Sequence, residues 1–138
     1  MSLSTTRSLA LADNRVNNRA LRGVVVTVCA ASAGVHVALV PDHLGESLGL
    51  GLAFTLCAGA LALSALVLRQ PRHDSWAPKT AGTVLGLTAL AYALSRGTGL
   101  PWLIPHAEHL DPLGLATSTA EVVAALAATL LITRKETQ

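Results

Sequence analysis

Residues 47–68 read SLGLGLAFTLCAGALALSALVL, and this stretch decides the fold. It carries no charged side chain, and after Ser47 its polar atoms come from Thr55, Cys57 and Ser64. A bilayer core of about 30 Å is crossed by roughly 20 apolar residues in a helix. A helix buried in a soluble bundle would keep a polar stripe at a spacing of about 3.6 residues, and none is present here.

Working outward from this run, three further spans emerge. The first covers residues 23–40 and is uncharged apart from His36. The third covers residues 80–95 and is uncharged. The fourth covers residues 113–133 and carries one charge, Glu121, with Thr117, Ser118 and Thr119 diluting its start. Composition agrees with this reading: of 138 residues, 51% are apolar and 13% charged, where a soluble domain carries about 25% charged residues. The expected fold is all-α, an integral membrane four-helix bundle over residues 23–133. Residues 1–22 form a basic N-terminal segment and residues 134–138 a short tail. The first apolar run is too long for a cleaved signal peptide, and no cleavage site followed by a mature domain appears.

Basic residues gather on the cytoplasmic side of short loops. With the N-terminus inside, nine of the ten lysines and arginines fall inside, and Arg96 alone falls outside. Both termini are therefore expected in the cytoplasm, and short loops favour an up-down-up-down order. The basic segment, with Leu9, Leu11, Val16 and Leu21 among its arginines, either lies on the inner leaflet or is disordered. Inside lipid, helices associate through small residues. Gly45, Gly49, Gly51, Gly82 and Gly86 are the expected packing points, within one chain or across a homodimer.

Four of the five histidines, His36, His43, His106 and His109, fall at or near the outer face, with Asp42, Glu46, Glu108 and Asp111. Pro41 is expected to end the first helix, with Asp42 capping the second and Glu46 in its first turn. The second external loop, residues 96–112, contains Gly97, Gly99, Pro101 and Pro105. Its Trp102, Leu103 and Ile104 suit the lipid interface. Imidazole and carboxylate suit copper or zinc. The candidate ligands are His36, His43, His106 and His109, with Glu46, Glu108 or Glu121 as oxygen donors.

Two ionisable groups lie deeper. His36 sits about one turn below the outer end of its span, and Glu121 about 12 Å below the start of its own. Such groups face the bundle interior with a partner. Arg96 is the expected partner of Glu121, and Thr117 lies one turn away on the same face. Either Arg96 and Glu121 form a buried structural pair, or His36, Arg96, Thr117 and Glu121 line a polar pocket open to the outside. Cys29 and Cys57 lie at different depths, so no disulfide is expected. The chain carries no phosphate loop, Ser-His-Asp arrangement, dinucleotide fingerprint or paired CxxC, and no nucleic-acid partner is expected.

His36, Pro41-Asp42-His43-Leu44, Glu46, Gly51 and Phe54 form one recognisable pattern. Ser95-Arg96-Gly97-Thr98-Gly99-Leu100-Pro101, Pro105, Glu108, Asp111, Leu113-Gly114 and Glu121 form another. Together they resemble a family of small four-helix membrane proteins common in actinobacteria, over about residues 23 to 133. The resemblance implies fold and topology but no activity, and a bacterial inner membrane is the expected location.

Three functions are compatible with these residues. One is a copper- or zinc-binding membrane protein. A second is a non-catalytic accessory subunit that meets other membrane subunits through its Gly/Ala faces. The third is a small membrane enzyme or transporter using His36 and Glu121 for proton transfer.

Overall fold

The computed structural model describes the backbone of residues 3–70, 76–100 and 106–136, and the side chains of residues 16–70, 76–100 and 106–134. The expected interfacial position of Trp102, Leu103 and Ile104 lies outside the described residues. So does the placement of Arg72, His73 and Asp74.

Four helices make up the described chain: α1 (Leu3–Glu46), α2 (Leu48–Leu68), α3 (Ala77–Gly97) and α4 (Pro112–Glu136). α1 packs against α2 and α4, and α3 packs against α4 and α2. α1 and α3 sit diagonally and barely touch. The helices therefore surround a common axis.

Helices α1, α2 and α4 contain segments long and apolar enough to cross a membrane. These are Val16–Glu46, Leu48–Leu68 and Pro112–Arg134, with mean hydropathies of 2.1, 2.2 and 1.8. α3 has 21 residues, enough for a span, but it is less apolar. Pro78, Lys79, Thr80, Thr83, Thr88, Tyr92, Ser95 and Arg96 all fall within it. Large apolar side chains point outward all round the bundle. On α2, Leu48, Leu56 and Leu63 are 69%, 72% and 62% exposed. A water-soluble surface rarely leaves so many together, and lipid is the solvent that suits them.

α1 differs from the expectation at both ends. Its helical backbone begins at Leu3, so the basic leader continues the helix. At 44 residues and a rise of about 1.5 Å each, it is about 66 Å long, roughly twice the bilayer core. At the other end it runs through Pro41 to Glu46. Proline removes one N–H and restrains its predecessor, yet one missing bond near a helix end does not stop the ladder. Ser47 N still donates to the His43 carbonyl at 3.0 Å.

Asp42 and Glu46 therefore belong to the last turns of α1, and Ser47 caps α2. Its backbone is extended, and its hydroxyl oxygen accepts from Leu50 N–H at 3.1 Å. A capping side chain starts the next helix at once, so the reversal takes a single residue. Gly51 permits it: a Cβ there would collide with Leu44 Cγ and Cδ2 and stand 3.0 Å from Leu44 Cα. Gly82 similarly admits Ala128 of α4, 3.2 Å from where its Cβ would be. Gly45, Gly59 and Gly86 have open space at that position and serve no close contact.

The close-packed core fills one half of the bundle. Val25 and Cys29 of α1, Leu61 and Leu68 of α2, Ala81 and Leu85 of α3, and Ala124, Ala128 and Leu131 of α4 are its buried centre. These are the middle of α1, the late part of α2, the early part of α3 and the late part of α4. The opposite half contains the candidate site.

Candidate functional site: a cavity floored by Glu121

Where the core stops, a cavity of about 520 Å³ begins. All four helices line it, through the last turns of α1 and α3 and the first turns of α2 and α4. Volumes of about 300–1,000 Å³ are typical of small-molecule sites. The walls are largely apolar, formed by side chains such as Leu39, Leu50, Phe54 and Leu113.

Glu121 forms part of the floor and is 2% exposed. Helical periodicity places it there. Glu121, Ala124, Ala128 and Leu131 share the buried face of α4, while Val122, Val123 and Leu126 point outward. From α1, the buried Ser32 donates its hydroxyl hydrogen to Glu121 Oε1. Among the described residues Glu121 forms no ion pair.

Ser32 also meets His36. His36 Nδ1 stands 2.9 Å from the Ser32 carbonyl oxygen and 3.5 Å from its hydroxyl. A carbonyl only accepts, so His36 Nδ1 is the donor in this contact. His43 is held the same way, with Nδ1 2.8 Å from the Leu39 carbonyl. Phe54 of α2 packs against both rings. It stacks on His43 with centroids 3.8 Å apart and stands 5.4 Å from His36.

At the cavity's other end the finding differs from the expected Arg96–Glu121 pair. Arg96 Nη1 donates to Glu108, and Nη2 donates to Asp111 Oδ2 at 2.8 Å. The reason is position. Arg96 sits in the last turn of α3, and its long stem turns toward the chain that follows rather than down the bundle. Backbone contacts hold that chain in reach: Glu108 N donates to the Ser95 carbonyl at 3.0 Å. Tyr92 Oη donates to the Asp111 carbonyl at 3.3 Å, and the Arg96 guanidinium lies 5.0 Å over the Tyr92 ring. Asp111 also accepts from Gly114 N at 2.5 Å, which caps the start of α4.

The sequence-expected residues divide clearly. His36, Arg96, Thr117 and Glu121 all line this one cavity, as do His43, Glu108 and His109. Glu46 and His106 are exposed and do not line it. Among the described residues no group of three or more His, Cys, Asp or Glu side chains stands together as metal ligands do. Cys29 is buried in the core, Cys57 lines the cavity, and both are free. Sequence reasoning missed Ser32, Phe54 and Tyr92 as parts of the site. Ser32 had a signal, because it lies one turn before His36 on a helix otherwise apolar there. The pairing role of Asp111 was also missed, although its place before Pro112 is that of a helix cap.

The chain matches no known family model, no curated protein and no solved structure.

Proposed function

We propose that this is a bacterial inner-membrane protein whose cavity binds a small molecule and whose Glu121 exchanges a proton with it. In this reading all four helices cross the bilayer, both ends are cytoplasmic and the cavity opens outward. Exposed Leu87, Leu90 and Leu94 on α3 support a fourth lipid-facing span despite its lower hydropathy. The placement of basic residues supports the orientation.

One observation carries the functional part: a carboxyl group, buried to 2% exposure and without an ion pair among the described residues, forms the floor of an apolar cavity. Placing a charge near the bilayer centre costs about 3 kcal/mol on insertion scales, and such groups mark proton relays and ligand sites. Glu121 can take up a proton from the cavity and release it there. Ser32 bridges it to His36, whose Nε2 offers a second proton-accepting atom.

A copper or zinc site has less support. His43 is stacked on Phe54, Glu108 is taken by Arg96, and His106 lies outside the cavity.

A hydrophobic carbodiimide, which adds to protonated carboxyls in apolar surroundings, tests the proposal when the purified protein is treated and its peptides weighed. The expected result is an adduct on Glu121 that is absent in Glu121→Gln. Adducts on other carboxyls with Glu121 untouched would overturn it.

A further inference from the structure

The cavity's charges and hydrogen-bonding groups specify what it can hold. Three carboxyl groups line it, Glu108, Asp111 and Glu121, against one guanidinium, Arg96. Arg96 is committed to Glu108 and Asp111, which leaves Glu121 without a countercharge among the described residues. His36 and His43 each spend an N–H on a backbone carbonyl of their own helix. Thr88 and Ser95 also line the cavity and give their hydroxyl hydrogens to carbonyls of their own helix. Carboxyl groups therefore outnumber the one guanidinium around the cavity, and Glu121 is the carboxyl without an ion pair among the described residues.

Three kinds of occupant can be weighed against this. A neutral molecule with a hydroxyl would satisfy acceptors but leave an ionised Glu121 unbalanced, a costly state in an apolar setting. A small hydrated metal ion would need several ligands close together, and no such group stands among the described residues. An organic cation with a quaternary or delocalised charge fits both features. It is weakly hydrated, and its body suits apolar walls such as Leu39, Leu50 and Leu113.

We infer that the cavity takes a lipophilic organic cation, held with its charge toward Glu121. This inference rests on the proposal that the cavity is a ligand site with Glu121 as its reactive group. It adds the chemical class of the ligand, because a cation supplies the charge that Arg96 does not.

The test uses the full chain in detergent, with tetraphenylphosphonium and its anionic counterpart tetraphenylborate as probes of matched shape. Calorimetry should show saturable binding of tetraphenylphosphonium at one per chain. Binding should weaken by at least about tenfold in Glu121→Gln, as for loss of one partner of a buried charge pair, and be largely kept in Glu121→Asp. Tetraphenylborate should not compete. Should Glu121→Gln fail to fold, the wild-type chain still decides the matter, because bound tetraphenylphosphonium should slow carbodiimide addition to Glu121. Equal binding of cation and anion, unchanged binding in a folded Glu121→Gln, or no protection of Glu121 would overturn the inference. Carbodiimide addition at Glu121 with no cation binding would overturn the cation alone and leave the proton-exchange proposal standing. No addition at Glu121 would remove both.

Discussion

The Ser32 hydroxyl of α1 donates to the Glu121 carboxyl of α4, across 89 residues of sequence and at the level where the packed core gives way to the cavity. It is a polar tie between two helices at the edge of the apolar core, and it fixes the direction in which Glu121 points. A buried acceptor left without its donor costs about 1–3 kcal/mol.

Ser32→Ala should therefore destabilise the protein by about 1–3 kcal/mol, read as a lower Tm in detergent, while Ser32→Thr, which keeps the hydroxyl, should lose less. An unchanged Tm in Ser32→Ala would mean that Glu121 draws its support elsewhere.

The glycines give a contrast internal to α2. Gly51→Ala drives a Cβ into Leu44 and should destabilise by about 1–3 kcal/mol, as overpacking does. Gly59→Ala meets nothing within 4 Å and should be neutral or stabilising by up to about 1 kcal/mol through helix propensity. Thermal unfolding of the two variants side by side checks this, and equal effects would contradict the tight reversal at Ser47.

Arg96 ties Glu108 and Asp111 to the end of α3. Arg96→Ala should free that chain, so the Glu108 amide, bonded to the Ser95 carbonyl, should exchange its hydrogen at least about tenfold faster, a local opening rather than a global one. Arg96→Lys should protect it only partly, since an ammonium lacks the forked geometry that reaches two carboxylates.

The two cysteines report on the cavity directly. Cys57 lines it and Cys29 is sealed in the core. A small thiol reagent should modify Cys57 in the native protein and leave Cys29 until unfolding. Tetraphenylphosphonium should slow the reaction at Cys57. Equal reactivity of the two thiols would place the cavity elsewhere.

Much of the fold was legible because a bilayer imposes a length on apolar runs. Residues 47–68, expected from an uncharged run, form α2 from Leu48 to Leu68. The end of α1 was not legible, because a proline one turn from a helix end stops it only when the following residues offer no further bonds, and here they do. α3 was expected as an uncharged span over residues 80–95, yet Lys79 and Arg96 near its ends and Thr83, Thr88 and Tyr92 within it leave it less apolar than its neighbours.

Depth along a helix is also readable, since it is a count of residues. His36, Arg96, Thr117 and Glu121, placed at one end by counting, line the same cavity. Pairing is not readable this way. Rotation of each helix about its axis decides that Ser32 reaches Glu121 and that Arg96 turns to Glu108 and Asp111. For α3 and α4, the close approach of Gly82 to Ala128 is one such packing constraint.

The central claim is that Glu121 gains and loses a proton inside the cavity, and infrared difference spectroscopy between two pH values measures it most directly. A protonated-carboxyl band should appear in the wild-type protein, vanish in Glu121→Gln, and shift when tetraphenylphosphonium binds. A spectrum in which wild type and Glu121→Gln are identical in that region would contradict it, and would leave Glu121 as a fixed structural partner of Ser32.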